Sequence, residues 1–265
     1  MNMGMASAIE SGLRTVAKPA TPLLSVTSLS KCYDGQEVIF RDVNFEAPKG
    51  QVVSIIGPNG AGKSTLLRCC VRLVEPDSGS VKIGQCELTA LSHRQLVKAR
   101  TRVGFVFQKH QLIGRMSVLS NVLHGALGRH SGPRLWAQAL APNDQREAAY
   151  QCLQQVGLQD LALRRADQLS GGQSQRVAVA RVLMQRSEMV FADEPTASLD
   201  PRSGNEIMEL LQRLSHEQNL GVLMVSHDMS HAHTFSDRIV GLRDKSVKLN
   251  APVEYCSLSE LKDFF

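Results

Sequence analysis

The chain has 265 residues, 43% of them hydrophobic and 21% charged, with a formal net charge of +5. This is ordinary globular composition, with enough apolar residues for a sizeable core in one large domain or two small ones. Its lysines and arginines are scattered rather than clustered, so the mild basicity reads as solvated surface and no nucleic-acid partner is expected.

Met1–Ala20 lacks the continuous apolar run of a secretory signal and reads as a loosely ordered extension, and no stretch approaches the roughly 20 apolar residues that span a bilayer. Leu23–Leu29 and Val38–Phe45 alternate apolar and polar residues around Asp34-Gly35, which predicts an antiparallel hairpin. Tyr33 stands just before that turn, either as a half-buried strand aromatic or as a ring for stacking on a base.

The next stretch organises the chain. Val52–Ile56 is an apolar, β-branched run, and it is followed by Gly57, Pro58, Asn59, Gly60, Ala61, Gly62, Lys63, Ser64 and Thr65. A Gly-x4-Gly-Lys-Ser loop between a strand and a helix is a P-loop, whose backbone N–H groups wrap phosphate oxygens at a helix N-terminus. Lys63 is expected on the β/γ-phosphates and Ser64 on Mg²⁺. The helix carries Leu66, Leu67, Cys70, Val71 and Val74 on one face and stops at Glu75–Gly79. Ser80–Ile83 reads as a short strand, Leu91–Arg100 as a helix, and Val103–Phe107 as a buried strand stopping at Gln108. A polar amide at the carboxyl end of such a strand is well placed for a ligand.

Residues 109–168 change to helical segments with polar loops. Ser117 is positioned to cap a helix to about Leu127, Gly128–Pro142 reads as a surface loop bearing the only tryptophan, Trp136, and Asp144-x-x-Glu147 resembles a capping box. This predicts an all-helical insertion in an α/β core. Leu169–Gln173 then opens a helix, and its Ser170, Gly171 and Gly172 form a second anion-directed helix N-terminus.

Met189–Ala192 predicts a buried strand ending in Asp193 and Glu194, the first suited to Mg²⁺ and the second to activating a water. Ser198–Pro201 leads into a helix with Ile207, Leu210, Leu211 and Leu214, and His227 follows the strand Val222–Ser226. His227, His231 and His233 lack a matching Cys or His group, so a transition-metal site is not expected. The six cysteines contain no Cys-x-x-Cys pair and read as reduced structural thiols.

In this order and spacing the motifs resemble the ATP-binding subunit of ABC transporters, over about Leu23–Leu249. The resemblance implies a P-loop NTPase (RecA-like) core with an antiparallel β subdomain and a helical subdomain at about 109–168, flanked by an extension at 1–22 and a tail at 250–265. It implies adenine stacking by Tyr33, a Walker A loop at Gly57–Thr65, and Gln108 as the Q-loop glutamine that touches Mg²⁺ or water. Asp193 matches Walker B, Glu194 the catalytic base and His227 the switch histidine; Ser170, Gly171, Gly172 and Gln173, with Asp200, match the groups that complete a partner's site. ATP is then held between two copies joined head to tail, and hydrolysis releases them.

Lys63–Cys69 with Arg72–Pro76, Ser117–Leu123, Ala197–Pro201 and Asp237–Asp244 are similar to the phosphonate-importer branch. That similarity implies a peripheral subunit on the cytoplasmic face of a membrane, coupled to permease subunits and indirectly to a solute-binding protein. The rival within the family assists a soluble complex such as carbon–phosphorus lyase; a DNA-repair or chromosome clamp would need a coiled-coil or zinc insertion. Two departures stand out: Ser174 after the signature, and Lys245–Asn250 where the family often has a Gly-containing turn.

Overall fold

The computed structural model describes residues 22–33, 37–108, 111–130, 133–136 and 138–264. The expected N-terminal extension up to residue 21 and the Asp34-Gly35 turn lie outside the described residues, as do Lys109 and parts of the Trp136 loop.

In chain order, β1 (Pro22–Tyr33) and β2 (Glu37–Pro48) form the expected antiparallel pair. β3 (Val52–Ile56) precedes the glycine loop and α1 (Lys63–Cys70), and β4 (Ser78–Ile83) and β5 (Cys86–Glu87) join β1 in a four-stranded sheet ordered β2-β1-β4-β5. After α2 (His93–Ala99), β6 (Val103–Val106) enters the second sheet. The insertion carries α3 (Val118–Leu123) and α4 (Asn143–Gln155), and α5 (Gly171–Gln185) leads to β7 (Met189–Asp193). Then come α6 (Pro201–Gln218), β8 (Gly221–Val225), α7 (Met229–Phe235), β9 (Arg238–Arg243), β10 (Ser246–Pro252) and α8 (Leu258–Asp263).

The six-stranded sheet is ordered β10-β9-β3-β8-β7-β6. Its pairs are parallel except β9 with β10. Every residue of β3, β7 and β8 is buried, which is why they read as continuous apolar runs: helices or sheet cover both faces. Side chains alternate across a strand, so Val222 and Met224 enter one core with α3–α6, while Leu223 and Val225 enter another with α1 and the antiparallel sheet. The shared sheet is the rigid floor from which the loops at its carboxyl edge project.

Local chemistry moves several expected boundaries. α2 is shorter than Leu91–Arg100 because Ser92 and Gln95 form a capping box that starts it at His93. Ser117 caps α3 as expected, but the α-helix ends at Leu123 and continues as a 3₁₀ turn to Ala126. The capping box at Asp144-x-x-Glu147 does not form: Pro142 breaks the chain, α4 starts at Asn143, and Asp144 accepts from the Gln145 amide. The β9–β10 hairpin closes without glycine, through Asp244 and Lys245 at φ 49° and 63°, both left-handed as a two-residue hairpin turn of this twist requires. The boundary expected at 249/250 falls inside β10, and Leu261 of α8 is buried against Ile56, Met229 and Ile239.

Candidate nucleotide site

The glycine loop leaves β3 against the backbone of β9. Gly57, at φ 148°, lies so close to this strand that a Cβ would stand 2.0 Å from the Leu242 carbonyl oxygen. Gly62, at φ 93°, is the N-cap of α1 and packs toward Ile39 of β2, which brings the antiparallel sheet beside the loop. α1 has no side-chain cap and no acidic residue in its first turn. Its N-terminal dipole is therefore left for an external anion. A Cβ at Gly60 would meet nothing within 4 Å, so the loop faces open space there. These features fit a polyphosphate.

Lys63 is 4% exposed. Its ammonium donates to the carbonyl oxygens of Gly57 at 2.7 Å and Pro58 at 2.9 Å. Burial pushes its pKa below the usual lysine range, and the Glu194 carboxylate opposes that shift. Asp193, at the end of β7, is 4% exposed and accepts from Ser64 Oγ at 2.7 Å and Arg68 Nη2 at 2.9 Å. A hydroxyl and a carboxylate are hard oxygen donors of the type that suits Mg²⁺. Gln108 lies two residues past β6 with its side chain exposed.

Glu194 follows at φ 51°, a left-handed conformation that costs a non-glycine residue roughly 1–2 kcal/mol. Its Oε1 is 2.5 Å from His227 Nε2. A carboxylate accepts, so His227 donates to it through Nε2. Glu194, Asp200, His227 and Asp228 line one cavity of about 270 Å³. Asp200 caps α6 by accepting from Ser203 N at 3.0 Å, and its pKa is lowered first by the Ser203 side chain and then by that backbone hydrogen bond.

The second helix N-terminus lies elsewhere. Ser170 caps α5 by accepting from Gln173 N, and Gln173 Oε1 accepts from Ser170 N. Gly171 and Gly172 approach Leu199 and Ser203, so this turn sits beside the start of α6 in its own chain. Tyr33, at the end of β1, is 42% exposed with the Lys31 ammonium 5.4 Å from its ring centroid. Sequence reasoning passed over Arg68. Its signal was spacing: it stands one helical turn after Ser64, so both side chains share a face of α1.

A P-loop on a mostly parallel sheet, a strand-end Asp-Glu pair, and a Ser-Gly-Gly-Gln helix start just after a helical insertion together define an ATP-binding cassette. The chain belongs to the ABC transporter family, whose model matches residues 40–197, and it binds and hydrolyses ATP as an ABC ATPase. It is 44% identical to "Phosphonates import ATP-binding protein PhnC 2" of Synechococcus sp. (strain JA-2-3B'a(2-13)) over 92% of this chain and 90% of the relative. It is 47% identical to "Phosphonates import ATP-binding protein PhnC 1" of Ruegeria sp. (strain TM1040), over 83% and 86%. Among solved structures it resembles the dimeric ATP-binding cassette MJ0796 in a post-hydrolysis state bound to ADP and Pi. The TM-score is 0.76 at 35% identity, covering 87% of this chain and 98% of that one.

Proposed function

We propose that the chain is the ATP-hydrolysing subunit of an importer for phosphonates or related organophosphorus or phosphite anions. The observation that carries this reading is the similarity to phosphonate-import ATP-binding proteins, 44% and 47% identical over more than four-fifths of the chain. The subunit works as a head-to-tail dimer on the cytoplasmic face of a membrane permease fed by a solute-binding protein. No helix among the described residues is long and apolar enough to cross a membrane, which agrees with a separate permease. A groove of about 350 Å³ lined by Leu73, Phe105, Phe107 and Gln111 opens beside the strand that ends before Gln108. It supports docking of a permease segment at the junction of core and insertion. The assignment of the helices at about 109–168 to one subdomain of the cassette is part of the same proposal.

In the proposed mechanism the adenine stacks on Tyr33 and the phosphates lie in the loop Gly57–Thr65, with Pro58, Asn59 and Ala61 shaping its backbone. Lys63 turns from the loop carbonyls to the β/γ-phosphates. Ser64, Asp193 and Gln108 would hold Mg²⁺, which when bound would neutralise charge on the phosphate oxygens. Glu194 accepts a proton from water as its oxygen attacks the γ-phosphorus in line, and the bond to the β-phosphate oxygen breaks with its electron pair leaving on ADP. His227 holds the Glu194 carboxylate through Nε2 and faces the charge developing on the γ-phosphate. Ser170, Gly171, Gly172, Gln173 and Asp200 act on the partner's nucleotide.

Glu194→Gln tests the reading. The variant should bind ATP like the wild type, hydrolyse it about 10²–10⁴-fold more slowly, and elute as a dimer in Mg·ATP. Near-normal turnover removes Glu194 from its role. Co-purification with a polytopic permease supports import, whereas association only with a soluble enzyme complex overturns it in favour of a lyase-assisting ATPase.

A further inference from the structure

Asp193 presents an electrostatic problem that the sequence motif hides. Its side chain is 5% exposed, and an ionised carboxylate out of water is costly unless a positive charge faces it. Ser64 donates a neutral hydroxyl to Oδ1. The charge comes from Arg68, whose Nη2 lies 2.9 Å from Oδ2. Ser64 and Arg68 are four residues apart on α1, so one helix face delivers both groups to one carboxylate. Their partner's position differs sharply in exposure: the Arg68 side chain is 47% exposed, so its guanidinium can return to solvent cheaply. Lys63, the other cation of the loop, donates to the Gly57 and Pro58 carbonyls.

We infer that Arg68 is a positioning residue that stands in for the metal's charge on Asp193 and makes divalent-cation binding conditional on the nucleotide. A bare divalent cation reaching Asp193 must displace the guanidinium or share the carboxylate with it, and like charges at that spacing repel. Cation and triphosphate arriving together add negative charge that outweighs the repulsion. The inference rests on the reading of Asp193 as a metal-holding residue.

The test is Mn²⁺ binding to the full chain without nucleotide, followed by the EPR signal of free Mn²⁺ in wild type, Arg68→Gln and Arg68→Lys. Arg68→Gln should bind Mn²⁺ about tenfold or more tightly than wild type and gain more in Tm on Mn²⁺ addition; Arg68→Lys should restore the weak binding. Arg68→Met, which keeps the aliphatic stem, repeats the comparison if the glutamine variant folds poorly. Mn²⁺ affinity unchanged or weakened in a folded, charge-removed variant overturns the inference. Adding Asp193→Asn to Arg68→Gln separates it from the underlying reading. Loss of the gained binding supports both, whereas its persistence places the metal away from Asp193 and overturns the metal reading itself.

Discussion

Two glycines of the phosphate loop, Gly57 and Gly60, have positive φ in different surroundings, and substitution should separate them. At Gly57 a methyl group would meet the Leu242 carbonyl oxygen at 2.0 Å while φ is 148°. Backbone offers no flexible end to move aside, so Gly57→Ala should cost about 3 kcal/mol or more in urea denaturation. At Gly60 there is open space and only the φ of 79° opposes a side chain. Gly60→Ala should therefore cost only about 1 kcal/mol, while nucleotide titration shows the larger loss. The thiols follow burial in the same way. Desolvation pushes Cys69 up to about 12 and Cys152 up to about 11, whereas Cys32 and Cys86 are only half-buried. Alkylation of the native protein at pH 8 should label Cys32 and Cys86 first, and Cys69 and Cys152 only on unfolding.

Among the elements, the ends are set by side chains that sequence reasoning could partly see. Ser170 and Gln173 form a reciprocal box at the start of α5, so Ser170→Ala should lower stability by about 1 kcal/mol. Arg102 and Glu188 are a cross-strand device that pattern reading could not see, because 86 residues separate them. Arg102 Nε and Nη2 grip the carboxylate at 2.9 and 2.6 Å, joining the turn before β6 to the turn before β7. This hydrogen bonding holds Glu188 below its ordinary value of 4.5. A depressed carboxylate stabilises the fold above its unfolded pKa, and that contribution is lost as pH falls through the folded one. Glu188→Gln should thus cost about 0.5 kcal/mol at pH 7, discounted for exposure, with the difference from wild type shrinking below pH 4.5. Chemical denaturation at pH 7 and pH 3.5 checks the sign.

The molecule as a whole is two cores sharing one sheet, with a smaller third cluster at the C-terminus. Leu261 is fully buried in that cluster beside Ile56, the last residue of the strand that feeds the phosphate loop. Leu261→Ala should cost about 2–5 kcal/mol by leaving a cavity. Since Ile56 abuts the loop, thermal melts of this variant should show a larger gain from ATP than simple binding to a rigid loop gives. β3, β7 and β8 were legible because doubly covered parallel strands are apolar throughout. The segment after Leu249 was not, since Asp244-Lys245 offers no glycine to mark the hairpin turn and Asn250-Ala251-Pro252 is too short a stretch to read as the end of an edge strand.

The sequence alone supplied the candidate groups of the loops. Gly57–Thr65, Leu169–Gln173, Asp193-Glu194 and His227 stand out by residue type and by their places at helix N-termini and strand ends, because such features are short-range. Tertiary structure alone could decide what those groups meet. Glu194 finds His227 across 33 positions, and Asp193 finds Arg68 across 125. Gly57 finds the Leu242 backbone only because β3 and β9 are neighbours in the sheet. Strand order brings these partners together, and no local pattern encodes it: each strand's apolar run records that it is buried, not which strand lies beside it.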